Sequence, residues 1–352
     1  MTSFAATGKR RFPGLSPRAY EHPADRAALQ ALRAVPGFDQ LLRKVFRSAG
    51  DHALRLAFLA SSVRVGPRQL PHVYERHVEA CAVLDISPLP ELFVAQTPFV
   101  KAGAVGVDKP FVVLDAGAVG LLAADELTFV LAHELGHVLS GHALYKTMLQ
   151  LLLRAAWPAA AFPLSGVALL GVTGALLEWD RCSELSGDRA ALLVVESPDV
   201  AERVILKLAG GHGPFDVEEV ARQAQEYDAS GAVADSVLRL LRVMGQAPPF
   251  PVLRLAELRR WTGSLAHREL LEGRYPTREE QPPRSSDDVR AASRAYRGLV
   301  ATPGLLMNAA RGVGARAQAL GRTVLGALRP AKAKTRPRRR APAKTRRAKR
   351  AR

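Results

Sequence analysis

Residues 131–142, "LAHELGHVLSGH", contain three histidines and one glutamate in twelve positions. His133 and His137 are four residues apart, and on a helix this spacing places both imidazoles on one face, one turn apart. Zinc binds imidazole nitrogen in tetrahedral sites and lowers the pKa of a bound water to about 7. Glu134 would stand beside that ion as the base for amide hydrolysis. The segment therefore predicts a site for one zinc ion, against the alternative of two histidines that share this spacing by chance.

The third histidine of the segment, His142, is a weaker candidate for a ligand. It follows His137 by five residues, and a continuous helix turns by about 500° over five residues. That rotation would place His142 away from the face that carries the metal. We therefore expect His142 to support a ligand from outside the metal's contact sphere, or to have a purely structural role.

A carboxylate downstream, in "EWDRCSELSGDRAALLVV", is the better candidate for the third ligand. Glu184 and Asp188 are four apart and share one face of a predicted second helix. Glu184 would complete a His-His-Glu set, and Asp188 would accept a hydrogen bond from the free nitrogen of a ligand histidine. Two alternatives remain: the pair forms a solvent-exposed acidic face, or Glu178 or Asp180 is the ligand, although both precede the predicted helix.

The segment "PFVVLDAGAVGLLAADELTFVLAHELGHVLSGH", followed by "SELSGDRAALL", resembles the HtpX-like and CAAX prenyl endopeptidase family of gluzincin metallopeptidases. The resemblance spans about residues 70–265. It implies an α+β, mainly α fold with a zincin-type core, in which a small sheet lies beside the helix of the His-Glu motif. It also implies a peptide or protein substrate bound as a strand at the sheet edge near residues 91–117. The residue roles that the resemblance implies are zinc binding by His133, His137 and Glu184, base catalysis by Glu134 and support by Asp188.

Two positions depart from this family's pattern. Lys101-Ala102 stands where members often have Asn-Ala, and Pro248 stands where a histidine is expected. Arg254 is retained and is implied to stabilise the transition state. Losing one such donor costs about 10²–10³ in rate in other enzymes, so we expect a slow protease or one with a narrow substrate range. An inactive metallopeptidase fold that serves as a scaffold is the alternative function.

The elements around these motifs follow from the periodicity of apolar residues. A helix start at Asp125 is expected to lead into one helix over 126–156. Mostly helical structure is predicted over 24–84, with strands over 91–96 and 111–117 and further helices at about 180–196, 199–209, 215–244 and 251–272. The predicted domains are a flexible N-terminus (1–20), a metallopeptidase domain (21–275), a linker with a helical extension (276–330) and a disordered basic tail (331–352).

The chain carries a net charge of +17, but the charge is concentrated at its C-terminal end. Residues 331–352 hold twelve Lys/Arg and no acidic residue. With a basic amphipathic helix predicted over 304–329, we expect residues 304–352 to bind nucleic acid or an anionic membrane surface. The alternatives are a helix packed on the catalytic domain and a tail that is merely solvated.

The same sequence favours a cytoplasmic protein that is not secreted by a signal peptide, and it leaves the oligomeric state open. Its two cysteines exclude a disulfide framework. Residues 155–177 carry no charge, but Pro158 and Pro163 interrupt them. A buried or interfacial helical hairpin is therefore favoured slightly over a membrane span.

Overall fold

The computed structural model describes residues 8–34, 38, 42, 51–154, 166–229 and 251–280. The helices of these parts are α1 (Pro23–Arg33), α2 (Asp51–Ser61), α3 (Pro71–Leu84), α4 (Ala116–Leu121), α5 (Ala124–Leu139), α6 (Ala143–Arg154), α7 (Gly166–Val195), α8 (Pro198–Gly210), α9 (Val217–Ala229), α10 (Pro251–Thr262) and α11 (Leu265–Leu271). The strands are β1 (Ser62–Arg64), β2 (Leu92–Ala95), β3 (Ala102–Val105) and β4 (Phe111–Asp115). The predicted α+β, mainly α class is confirmed.

The four strands form one sheet in the order β1-β2-β4-β3. The central pair, β2 and β4, is parallel, and the two outer strands are antiparallel to their neighbours. The predicted strands over 91–96 and 111–117 are β2 and β4. The edge strands β1 and β3 were not predicted. Strand β1 has only three residues, and β3, "AGAV", consists mostly of Ala and Gly, which are depleted in strands.

Helix α5, which carries the His-Glu motif, lies in the middle of the packing. It contacts α3, α7, α8, β3 and β4, and its residues from Glu126 to His137 are all buried. Gly136 explains how closely α5 meets α7, because a Cβ atom there would lie 2.5 Å from the Cβ of Ala190. The glycine inside this buried helix therefore serves close helix packing.

The predicted single helix over 126–156 is wrong, because the chain turns between α5 and α6. Gly141 has a positive φ of 70°, and its N–H donates to the carbonyl of Val138 at 3.1 Å. The N–H of His142 donates to the carbonyl of His137 at 2.9 Å. These two bonds form a Schellman motif, which ends a helix at a left-handed residue, usually glycine. The helix starts at Ala124, with the carboxylate of Glu126 accepting from the N–H of Ala123 at 2.8 Å.

Helix α7 is longer than the predicted helix over 180–196. It runs without interruption from Gly166 to Val195, because no proline follows Pro163 in this stretch. Glu178 and Asp180 therefore lie within the helix and do not precede it. The buried or interfacial hairpin predicted for 155–177 is described only in part, because residues 155–165 lie outside the described residues. Among the helices described, none combines the length and the apolar character that a membrane crossing requires.

The segment before α1 packs against the protein core, although a flexible N-terminus was expected over 1–20, of which the structure describes residues 8–20. The side chains of Phe12, Leu15 and Tyr20 are buried. The backbone N–H of Ser16 donates to the carbonyl of Pro276 at 3.1 Å, and a bridge pairs Leu15 with Thr277. Apolar side chains hold this segment in place, and the local composition did not reveal their partners. The predicted helical extension and basic tail lie outside the described residues.

Candidate metal centre

Three side chains from two helices place their donor atoms together. The Nε2 atoms of His133 and His137, both on α5, lie 3.1 Å apart. Glu184 of α7 lies 3.3 Å from Nε2 of His133 through Oε2 and 3.4 Å from Nε2 of His137 through Oε1. These three donors form a group that could hold a metal ion. Because each imidazole presents Nε2 to the centre, its Nδ1 points outwards.

The outer nitrogen of His133 faces a carboxylate. Its Nδ1 lies 3.1 Å from Oδ1 of Asp188, which is one turn after Glu184 on α7. Gly187 lies under the same ring, since a Cβ there would come within 2.6 Å of the imidazole. Two neighbouring residues of α7 therefore hold the ring of His133, one by a hydrogen bond and one by providing space.

The guanidinium of Arg254, on α10, bonds to this carboxylate through two nitrogens. Its Nε donates to Oδ2 of Asp188 at 2.8 Å and its Nη2 to Oδ1 at 2.5 Å. The role implied for Arg254 was direct stabilisation of the transition state. The structure instead directs two of its three nitrogens to Asp188, so the residue acts on the site through Asp188 and His133. Pro248, at the position where a histidine is expected, lies outside the described residues.

The outer nitrogen of His137 faces another histidine. Its Nδ1 lies 3.0 Å from Nδ1 of His142, which the turn after α5 has brought back beside it. Behind His142 stands Asp25 of α1, whose Oδ2 lies 3.3 Å from the Nε2 of His142. Asp25 was not singled out from the sequence, because an acidic residue in the first turn of a helix is common and normally solvated.

Lys146 on α6 contacts the third donor residue. Its Nζ donates to Oε1 of Glu184 at 2.5 Å and to Oδ1 of Asp180 at 2.8 Å. This occupies Asp180 with an ion pair, and Glu178 pairs with Arg181 at 2.7 Å. The donor group that could hold a metal ion includes neither of these two acidic residues, which the sequence had left as alternatives to Glu184. A lysine within the apolar stretch "ALYKTMLQLLL" was the signal in the sequence that could have identified Lys146.

Glu134 is buried beside the donor group. No hydrogen-bond partner for its Oε2 is present among the described residues. Burial raises the pKa of this carboxyl, although the positive charges of His133 and Lys146 oppose the rise. A buried polar atom without a partner is unusual and costs about 1–3 kcal/mol. Within the part of the chain that the structure describes, this atom is therefore open to a further partner.

The charges around the donor group favour a cation at its centre. Burial alone would lower the pKa of His133, but the carboxylates of Glu184 and Asp188 outweigh it and raise that pKa to about 9. Although burial opposes it, Lys146 and His133 hold the pKa of Glu184 well below its usual value. Burial and the charge of Lys146 lower the pKa of His137. Two imidazoles and one carboxylate form a donor set that suits zinc.

Two comparisons with known proteins bear on the family of this chain. The model of peptidase family M48 matches residues 67–262, which include all three donors and Glu134. A relative from Arabidopsis thaliana, plastoglobule-localized metallopeptidase 48, chloroplastic, is 34% identical over 268 residues, which cover 74% of this chain and 77% of the relative. No solved structure matches the chain.

Proposed function

Because the chain belongs to peptidase family M48 and is therefore a metallopeptidase, we propose that it is a zinc-dependent endopeptidase. His133, His137 and Glu184 would hold one zinc ion. Glu134 would act as the general base. The observation that carries this proposal is the convergence of two Nε2 atoms and one carboxylate on a common point beside the unpartnered Oε2 of Glu134.

The residues present fit zinc by number, type and surroundings. Two imidazole nitrogens and one carboxylate are a donor set known from catalytic zinc sites, which keep a fourth position open. When bound, zinc would supply Lewis acidity that polarises the scissile carbonyl and lowers the pKa of the attacking water. The outer contacts of His133 and His137 leave both Nε2 atoms free for the ion.

Glu134 would handle the proton of the reaction. Its Oε2 would accept a proton from the attacking water and then deliver it to the nitrogen of the leaving amine. Burial raises the pKa of this carboxyl, which brings it closer to the neutral range where one group can both take up and release a proton. Its position directly after His133 on α5 places it next to the donor group.

The substrate would bind as an extended strand along β3. Strand β3 is an edge of the sheet, because β4 is its single pairing partner among the described strands. Its backbone lies near the catalytic carboxylate, because the amide of Ala104 is among the groups that lower the pKa of Glu134. A Cβ at Gly103 would meet nothing within 4 Å, so space is open along this strand. An unpaired strand edge can bind peptide backbone by β-augmentation.

The test compares zinc content and casein cleavage in the full-length chain and in Glu134→Gln. Asp125→Asn, an exposed carboxyl-to-amide change on the same helix, is the matched control. We expect the wild type and the control to contain about one zinc and to cleave casein, and Glu134→Gln to keep zinc but lose cleavage. Absence of zinc from the wild type would contradict the proposal.

Retained zinc with no cleavage by the wild type would favour the alternative function. That alternative is a scaffold of weak or no activity, tethered by its basic end to nucleic acid or to an anionic membrane. Residues 304–352, which would make these contacts, lie outside the described residues. Both partners therefore stay predictions, as does the cytoplasmic location.

A further inference from the structure

His137 is held from behind by a histidine, which makes its surroundings unlike those of His133. Ligand histidines usually donate their second N–H to a carboxylate, a carbonyl or a water. Here the Nδ1 of His137 lies 3.0 Å from the Nδ1 of His142. One of these two nitrogens must carry hydrogen and the other must accept it. The pair therefore has two possible tautomeric arrangements, and only one leaves Nε2 of His137 free to bind a metal.

The other nitrogen of His142 faces acceptors on α1 and in the segment before it. Its Nε2 lies 3.3 Å from Oδ2 of Asp25 and 3.9 Å from Oε1 of Glu21. Both His142 and Asp25 are buried, at 1% exposure each, so bulk solvent does not reach this contact. A carboxylate can only accept when ionised. Hydrogen on Nε2 of His142 therefore suits these carboxylates, and its Nδ1 is then left as an acceptor.

We propose that Asp25 is a positioning residue of the metal centre, acting through His142 to keep the hydrogen of His137 on Nδ1 and its Nε2 free for zinc. This inference rests on the proposed function. In this arrangement Nδ1–H of His137 donates to Nδ1 of His142, and Nε2 of His142 carries its hydrogen within ion-pair distance, 3.3 Å, of Oδ2 of Asp25. The carboxylate thus selects the tautomers of two imidazoles in series.

Two further donors hold the carboxylate of Asp25 in place. Trp179 donates from Nε1 to Oδ1 at 2.9 Å, and Ser186 donates from its hydroxyl to Oδ2 at 2.6 Å. Burial raises the pKa of Asp25 to about 6, and these two bonds limit the rise. The orientation of the carboxylate is thereby determined from both sides. Each oxygen therefore accepts from one fixed partner.

Asp25 lies outside residues 67–262, the segment that matches the peptidase family. The N-terminal segment is nevertheless bonded directly to the helices of the site. The hydroxyl of Tyr20 donates to the carbonyl of Gly136 at 2.9 Å, and the N–H of His22 donates to the hydroxyl of Ser186 at 2.9 Å. The segment that contains residues 20–25 therefore forms part of the wall behind the metal centre.

Asp25→Asn tests the proposal because it changes an acceptor into a donor with little change in shape. If the amide oxygen stays with Trp179, the amide N–H faces His142 and turns its Nε2 into an acceptor. The hydrogen of His142 then moves to Nδ1, and that of His137 moves to Nε2, where it blocks zinc. Glu126→Gln is the matched control, since it makes the same carboxyl-to-amide change at a buried residue of α5 whose hydrogen-bond partners are Ala123 and Lys207.

The measurement is the zinc dissociation constant of the full-length chain, determined by competition with a chromophoric chelator. Changing an outer partner of a ligand typically weakens metal binding by about 10- to 100-fold. We expect a loss of that size in Asp25→Asn and a much smaller change in Glu126→Gln. Equal affinity in Asp25→Asn and wild type would overturn the inference, as would equal losses in both variants. If the wild type binds no zinc, the proposed function has failed instead.

A second measurement needs no variant and therefore does not depend on whether Asp25→Asn folds. Nitrogen chemical shifts of the zinc-loaded protein, labelled with ¹⁵N at histidine, report which ring nitrogen of each imidazole carries hydrogen. We expect His142 to carry it on Nε2. A hydrogen on Nδ1 of His142 would overturn the inference, even with zinc bound and the protease active.

Discussion

Arg254 and Asp188 form a bidentate pair in which each carboxylate oxygen accepts one guanidinium hydrogen, and the same carboxylate contacts Nδ1 of His133. The pair joins α10 to α7 and, through His133, to α5. Both side chains are buried. Although burial opposes it, Arg254 is the main cause that holds the pKa of Asp188 below its ordinary value. The orientation of His133 thus depends on a residue far along the chain.

Replacing Arg254 by Gln should strongly destabilise the protein. The change leaves the carboxylate of Asp188 buried without its cation, and breaking a buried pair in this way typically costs about 3–5 kcal/mol. The measurement is the free energy of unfolding from urea denaturation. Arg259→Gln is the control, because Arg259 lies on the same helix as Arg254 and its side chain is 41% exposed where it pairs with Glu202 of α8. Solvent-exposed pairs contribute about 0–1 kcal/mol. Similar losses in both variants would contradict the expectation.

Gly187→Ala should weaken metal binding by displacing a ligand. A Cβ at this position would lie 2.6–2.8 Å from three atoms of the His133 ring, including 2.7 Å from Nε2. The ring is fixed on its other side by Asp188 and cannot move without losing that bond. We expect weaker zinc binding, seen as a larger dissociation constant in a chelator competition.

Gly174→Ala provides the comparison for this change. Gly174 lies on the same helix, α7, and a Cβ there meets nothing within 4 Å. Alanine is favoured over glycine in a helix by about 1 kcal/mol. We therefore expect unchanged zinc affinity and equal or higher stability. If Gly187→Ala leaves the zinc affinity unchanged, as we expect for Gly174→Ala, the ring of His133 is not confined by Gly187.

Gly136→Ala should destabilise the contact between α5 and α7. The added methyl would lie 2.5 Å from the Cβ of Ala190, and overpacking of this kind typically costs about 1–3 kcal/mol. Ala190→Gly removes the opposing atom. In a double-mutant cycle followed by thermal unfolding, Gly136→Ala should therefore cost much less in the Ala190→Gly background. The same cost in both backgrounds would show that this clash is not the cause.

His77 should make the stability of the protein depend on pH. Its Nε2 lies 2.8 Å from the carbonyl of Pro90, and its burial lowers the pKa of the imidazole below the usual 6.5. The unfolded chain then binds a proton more readily than the folded protein, so stability is lost as pH falls through 6.5. We expect His77→Gln to show a smaller loss of unfolding free energy between neutral and acidic pH than wild type.

The control for this prediction is His72→Gln, which replaces an exposed histidine on the same helix, α3. We expect its stability to follow the wild-type dependence on pH. Parallel curves for the wild type and His77→Gln would be evidence against a role for His77. Both variants can be followed by urea denaturation at each pH.

The sequence alone determined the features that depend on spacing within one helix. Four residues separate His133 from His137, and four separate Glu184 from Asp188, and a helix converts each interval into a shared face. The apolar runs likewise predicted β2 and β4. The end of α5 was missed because Gly141 is one of several glycines in the chain, and only its left-handed backbone shows that the helix stops there.

Only the tertiary structure decided which residues stand behind the ligands. Asp25, Lys146 and Arg254 come from three different helices, and their roles depend on how those helices pack on α5 and α7. Helical periodicity determines the angle at which a side chain leaves its own helix. It does not specify which distant segment lies opposite that side chain. The packing of apolar surfaces, such as Gly136 against Ala190, decides which segments meet. Buried polar groups on those segments come into contact as a consequence.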